Sequence, residues 1–256
     1  MNLIEKNLEE IRDNGYTILQ AAFTEDDIRD MRSVIKSKLE LMGKTRSVAH
    51  AYHLAGFHRF AAFSEISKQI SENSTIKSTM RSDFSKSCPV EIGLTDITVN
   101  RSQHWHTDLL RGHYARFLAE CDPWRQDEMP CLKALVYLQA GRSLKIITGS
   151  HRFKTPLDDT AIANAIDENA AVQLEVKAGD AVIMDIRTVH RGSTAAESAA
   201  PHLEHSPKIL VSSVFGAESS AFAACMRKGN IVRMADWDKN NLPHAASDCL
   251  SSYVVN

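Results

Sequence analysis

The sequence predicts a mainly β domain, a sandwich or barrel with flanking helices. Segments with helical spacing of apolar residues crowd into the first third of the chain, and short β-branched runs separated by turn residues follow them. No internal repeat and no low-complexity linker divides the 256 residues. That length suits one all-β domain with embellishments, since such domains commonly reach roughly 200 to 250 residues. A single domain is therefore expected over 1–256, with N-terminal helices to about residue 87, a β core over about 88–216 and a C-terminal extension over 217–256.

Leu3, Ile4, Leu8 and Ile11 fall near helical spacing in an acidic segment, and Asn14-Gly15 breaks it before the short strand Tyr16–Leu19. Thr24 ahead of Glu25, Asp26 and Asp27 is an N-cap with acids in the first turn, where the helix dipole favours them. Ile28, Met31, Ile35, Leu39 and Met42 continue one apolar stripe toward Gly43, the expected stop. Phe57, Phe60 and Phe63 surround a third helix near Ser64–Ser71. His50, His53 and His58 lie in a loop-like stretch at spacings that suit neither one helix face nor one strand face, so they read as surface or cleft residues rather than metal ligands.

Val90–Val99 is β-branched and partly alternating, a strand that leads into the next polar motif. Leu109–Pro130 is polar and without period, which suits a lid or binding loop, with Arg111, Arg116 and Trp124 as candidates for substrate contact. Leu132–Leu138 and Ser143–Ile147 are strand-like, and the Pro156–Asn169 stretch suits a short helix or an exposed loop. Val172–Val176 alternates cleanly, Gly179-Asp180 makes a turn, and Ala181–Met184 is apolar. After a Thr194–Pro207 loop, Lys208–Phe215 is the last core strand, and the tail through Trp237 and Tyr253 is expected to wrap the barrel or cover its mouth.

Lys plus Arg number 30 against 32 Asp plus Glu, so the formal charge of -2 supplies no broad field for nucleic acid or an anionic membrane. A small-molecule partner is expected instead. The five cysteines are scattered with no C-x-x-C spacing, which argues against a disulfide framework or structural zinc. The charged N-terminus does not read as a signal peptide and no apolar run is long enough to span a bilayer; a cytoplasmic protein is expected.

The chemistry concentrates in Gln103-His104-Trp105-His106-Thr107-Asp108 and the later stretch Gly179 to Ser193. In an extended segment alternate side chains share a face, so His106 and Asp108 point the same way, and His190 is the second imidazole the fold could bring to them. Two imidazoles and one carboxylate on a single face of a metal leave the other positions open, the arrangement of non-haem Fe(II) oxygenases. His104 shares that face and competes with His106, but only His106 has the one-residue spacing to a carboxylate.

These motifs do not stand alone. Asn14-Gly15-Tyr16 to Thr24-Glu25-Asp26, Gln103 to Asp108, Tyr137-Leu138 with Gly149-Ser150-His151, Gly179-Asp180 to Ser193 and the strand from Lys208 follow one another in order. In this the chain resembles the phytanoyl-CoA dioxygenase family of Fe(II)/2-oxoglutarate-dependent oxygenases over most of residues 10–216. The resemblance implies a double-stranded β-helix, a cupin-like jelly roll whose open end holds Fe(II) through His106, Asp108 and His190, with 2-oxoglutarate as cosubstrate and O2 as oxidant. It implies a dioxygenase that oxidises an unactivated C–H bond of a small-molecule metabolite and releases succinate and CO2. Hydroxylation leads among such oxidations, because related halogenating enzymes lack the carboxylate that Asp108 supplies. A metal-binding jelly roll with a non-oxidative or binding role is the alternative.

The resemblance also places the cosubstrate's distal carboxylate at the start of the strand after the second His. Lys208 opens that strand here, where the family usually has Arg, and Ser193 is a hydroxyl that could assist it. Arg142, Arg187 and Arg191 are the rival anchors. In the family the motif around His151 usually closes a turn; Thr148 stands here where Pro is common.

Overall fold

The computed structural model describes residues 2–45, 50–84, 87–125, 128–155, 158–167 and 170–242. Helix α1 (Leu3–Asn14) starts at Asn2, whose side chain accepts from the Glu5 amide while Glu5 reaches back to the Asn2 amide, and it ends at Gly15 in the left-handed region. Strand β1 (Tyr16–Leu19) follows. Helix α2 (Glu25–Ser37) carries the expected Thr24 cap, with Asp27 returning the bond to the Thr24 amide at 2.9 Å. It ends six residues before Gly43: a 3-10 turn over Leu39–Leu41 takes over, and Gly43–Lys44 is β2. The apolar stripe survives this change because the tighter turn keeps Leu39 and Met42 on the core side.

Strand β3 (Tyr52–Ala55), helices α3 (Ser64–Glu72) and α4 (Ser74–Asp83), and the long strand β4 (Pro89–Val99) come next. The remaining strands are β5 (Cys131–Tyr137), β6 (Lys145–Ile146), β7 (Val172–Gln173), β8 (Ala181–Asp185), β9 (His190–Arg191) and β10 (Ile209–Ala217). Helices α5 (Asp159–Ala165), α6 (Ala195–Ser198) and α7 (Ala221–Asn241) complete the chain as described, and Tyr253 lies outside the described residues.

One sheet has seven strands in the order β1-β8-β5-β10-β4-β3-β2 and the other three, β7-β6-β9, with every pairing antiparallel. Side chains alternate across the large sheet. Ala134, Val136, Ala181, Ile183 and Val211 face helices α1 to α4, where Ile11, Met31, Ile35 and Ile70 meet them. Leu135, Tyr137, Val182 and Met184 face the small sheet and pack on Leu144, Ile146, Leu174 and Val176. Strand β5 is buried along both faces, which is why its sequence is a continuous apolar run rather than an alternating one. The arrangement is a jelly roll with flanking helices, as expected.

Helix α7 fills a third core with β4 and the 3-10 turn over Gly112–Glu120 through Phe222, Ala223, Cys225 and Met226. Its far end is pinned to the β3–α3 connection by Arg59, which forks onto Asp238 at 2.5 and 2.9 Å. Among the described residues no helix is long and apolar enough to cross a membrane.

Candidate metal centre

Beyond β4 the chain runs along the segment that carries β9. The Gln103 amide donates to the Ser193 carbonyl at 2.9 Å, His106 and His190 exchange amide-to-carbonyl bonds at 2.8 and 2.9 Å, and the Asp108 amide donates to the Ile186 carbonyl at 2.8 Å. Backbone pairing therefore sets His106 opposite His190, with ring centroids 4.3 Å apart. The Asp108 carboxylate completes the face, Oδ1 lying 3.7 Å from His106 Nε2 and Oδ2 3.5 Å from His190 Nε2. One donor atom from each of the three residues lies within 4.8 Å of the others.

The outer nitrogens are tied down. His106 Nδ1 is 2.6 Å from the His104 carbonyl and His190 Nδ1 is 2.9 Å from the Thr188 carbonyl. A carbonyl only accepts, so each Nδ1 carries the hydrogen and each Nε2 presents its lone pair inward. Burial pushes both imidazole pKa values down, His106 well below the ordinary value with His190 adding to the effect, so both rings are neutral, the form that can bind a metal. For Asp108 burial opposes the charged form, but the Lys133 ammonium outweighs it and holds the carboxyl well below its usual range. His104, the competitor, is exposed and serves through its backbone oxygen.

Lys133 was not anticipated. It stands in the apolar run of β5, points into the barrel with Leu135 and Tyr137, and donates to Asp108 Oδ2 at 2.9 Å while only 4% exposed. A lone cation inside an apolar run at the inward register was the available signal. Lys133→Met is expected to destabilise the metal-free protein by about 3 kcal/mol, because it strands a buried carboxylate among neutral partners. Urea unfolding measures this, and an undiminished stability would show that the pair is solvated. Added divalent metal should restore part of the loss, since it binds the folded form alone.

His190, Leu135, Tyr137, Leu210 and Lys208 line one small cavity. There Lys208 Nζ donates to Ser193 Oγ at 2.7 Å and also to Ser143 Oγ. The rival cations are elsewhere: Arg187 forks onto Asp185 and reaches the Pro123 carbonyl at 2.8 Å, Arg142 is exposed beside Glu175 at 3.8 Å, and Arg191 lies 3.7 Å from Glu197 with its guanidinium toward Trp105. The residues present thus fit a metal with a dicarboxylate: three donors converge on one face, and a cation bonded to two hydroxyls lines the cavity that His190 also lines.

Of the remaining candidates, His53 binds Asp96 at 3.1 Å and His58 binds Thr95 at 2.6 Å, as parts of the β3–β4 wall, while His50 is exposed. His151 is a packing residue, its Nε2 on the Arg12 carbonyl at 3.1 Å. A Cβ on Gly15 would stand 2.7 Å from the other ring nitrogen of His151, so the left-handed glycine and the histidine require each other. Arg111, Arg116 and Trp124 do not line the cavity. The 112–120 turn instead packs on α7, with Tyr114 donating to Asp236 at 2.7 Å and Lys228 to Glu120 at 2.6 Å.

A jelly roll that gathers two neutral imidazoles and a carboxylate at one end belongs to the class of 2-His-1-carboxylate proteins. The chain belongs to the phytanoyl-CoA dioxygenase family, whose model matches residues 3–201, and thereby to the Fe(II)/2-oxoglutarate oxygenases. No curated protein matches it in sequence. Among solved structures it is similar to HygX from Streptomyces hygroscopicus with nickel, 2-oxoglutarate and hygromycin B bound, at 13% identity, 84% of this chain, 87% of that chain and TM-score 0.60. It is also similar to the carbocyclase SnoK from nogalamycin biosynthesis, at 17% identity, 84% and 85% coverage and TM-score 0.58. The epimerase SnoN, in complex with Fe3+, alpha ketoglutarate and nogalamycin RO, matches at 14% identity, 84% and 83% coverage and TM-score 0.59. At these identities the likeness establishes the fold.

Proposed function

We propose that this protein is an Fe(II)- and 2-oxoglutarate-dependent dioxygenase that hydroxylates an unactivated C–H bond of a small-molecule metabolite. The observation that carries the reading is the convergence of His106, Asp108 and His190, with Lys208 lining the same cavity as His190. The structural neighbours that hold a metal, 2-oxoglutarate and a natural product together add support for a small-molecule substrate. Other solved structures of similar fold include a carbocyclase and an epimerase; Asp108 fills the position that halogenating relatives leave open and so points to an oxygen-derived oxidation, of which hydroxylation is the reading adopted here.

His106 Nε2, His190 Nε2 and one oxygen of Asp108 would hold the iron, and Lys133 would keep the carboxylate turned toward it. Lys208, with Ser193 and Ser143, would hold the distal carboxylate of 2-oxoglutarate and so aim its other end at the metal. When bound, iron and cosubstrate supply the oxidising power, one atom of O2 ending in succinate and the other in the product hydroxyl, with CO2 released. Leu135, Tyr137, Leu144 and Leu210 supply the apolar part of the cavity lining.

The protein supplied with Fe(II) and ascorbate in air is expected to convert 2-oxoglutarate to succinate slowly alone and faster with its substrate, and zinc is expected to inhibit. Turnover of any substrate with zinc alone and without oxygen would sink the reading.

A pH dependence follows from Lys208. Burial pushes its ammonium down to about 8, against the pull of Glu197. Below that pH the cation is present; above it, binding the dianion requires proton uptake. The affinity for 2-oxoglutarate is therefore expected to be level below about pH 7.5 and to fall toward tenfold per pH unit above about 8.5. Half-saturation measured across this range checks it, and Lys208→Arg, whose charge does not titrate there, should flatten the profile. A wild-type profile that stays flat to about pH 9.5 would rule the dependence out.

A further inference from the structure

With a single exception, each charged side chain lining the cavity shared by His190 and Lys208 has an assignment. Lys133 holds Asp108 at 2.9 Å. Asp96 accepts from His53 at 3.1 Å and from Arg233 at 3.2 Å, both on the same oxygen. Lys208, under the function proposed above, takes the distal carboxylate of the cosubstrate. The exception is Arg101, between the end of β4 and Gln103, which lines the same cavity. Burial pulls its pKa down, Asp96 and Asp108 act on it only across space, and among the described residues its guanidinium has neither a hydrogen bond nor an ion pair. Arginine cannot escape the cost of burial by losing its proton, so a guanidinium kept in a cavity without a partner is destabilising until an anion arrives.

We propose that Arg101 receives an oxyanion of the primary substrate, a carboxylate or a phosphate, beside the metal centre; the assignment rests on the oxygenase reading, which commits Lys208 to the cosubstrate. 2-Oxoglutarate has only two carboxylates, and Lys208 and the metal account for both. The planar fork of Arg101 matches a further oxyanion through two parallel hydrogen bonds. An anchor at this position would set which carbon of the substrate stands before the metal, so Arg101 would govern affinity for the substrate and the site of its oxidation together.

The test uses the wild-type protein loaded with Ni(II) and 2-oxoglutarate, with acetate and inorganic phosphate as minimal oxyanions. Modification of Arg101 by phenylglyoxal is followed by peptide mass spectrometry. Acetate or phosphate is expected to slow modification of Arg101 by about tenfold at saturation, while nickel and 2-oxoglutarate alone change it by less than about twofold. The anion that protects at the lower concentration distinguishes carboxylate from phosphate. Protection by 2-oxoglutarate alone would assign Arg101 to the cosubstrate and overturn the proposal. So would modification indifferent to both anions, or a guanidinium that fails to react even in the ligand-free protein. In parallel, Arg101→Gln is expected to keep the half-saturation for 2-oxoglutarate within about threefold in the uncoupled reaction, and a rise matching that of Lys208→Met would equally overturn it. Anion protection of Arg101 in a protein that forms no succinate would separate failure of the oxygenase reading from failure of this one.

Discussion

Replacing His106, Asp108 or His190 with Ala is expected to abolish stoichiometric Fe(II) binding and all conversion of 2-oxoglutarate to succinate. Three donors within 4.8 Å leave no spare ligand among the described residues, so each substitution removes a third of the protein's hold on the metal. Loss of a mere outer-shell partner typically costs about 10- to 100-fold in affinity or activity, and loss of a ligand costs more. His104→Ala should keep its iron, because the group His104 supplies to His106 is a backbone carbonyl that alanine retains. Metal content after desalting, read by emission spectrometry, decides the assignment. Iron lost from His104→Ala and retained in His106→Ala would reverse it.

Lys208→Met is expected to raise the apparent KM for 2-oxoglutarate by roughly two to three orders of magnitude while metal content stays at the wild-type level. Removing one partner of a buried ion pair costs about 3 to 5 kcal/mol, and each 1.4 kcal/mol is about tenfold in affinity. Among the described residues the ammonium bonds Ser193 and Ser143, neither of which contributes to the triad, so the metal should not notice its loss. Arg142→Met should leave the KM unchanged, since that side chain is exposed and faces Glu175. Arg187→Met should lower stability by stranding Asp185, with no specific effect on the cosubstrate. A KM that rises in either arginine variant and not in Lys208→Met would move the anchor.

The parts of this fold that could be read from sequence are those where one side chain declares its own environment. Strands β4, β5, β8 and β10 are runs of β-branched and apolar residues, and helix α2 announces its cap with Thr24 and Asp27. The pairing of His106 with Asp108 was legible because residues two apart on an extended chain share a face, while His190 was singled out through the order of motifs the chain shares with the family. Helix α7 was not legible. Its buried stripe runs through Phe222, Met226, Gly229, Asn230 and Met234, and the two middle members look like a break. Gly229 is there because a Cβ would meet Leu110 at 2.2 Å, and Asn230 because its amide reaches the Ile92 carbonyl at 3.4 Å; both reasons lie in other parts of the chain. Arg101 and Lys133 were missed for a similar reason, since only the assembled barrel shows that they turn inward. Lys208 was singled out because the family places a cation at the start of the strand after the second His, but its hydroxyl partner Ser143 comes from a segment read only as a strand.

The mutual backbone bonds of His106 and His190 bear on how the metal arrives. These residues are 84 apart in sequence (190 minus 106), and the entropy of closing that loop is borne by strand pairing and the apolar core rather than by coordination. The ion would therefore dock onto a clasp that is already shut, with no ordering transition to wait for. Far-ultraviolet circular dichroism of the stripped and loaded protein should superimpose, and the amide protons of both histidines should resist exchange with heavy water even when the ion has been removed.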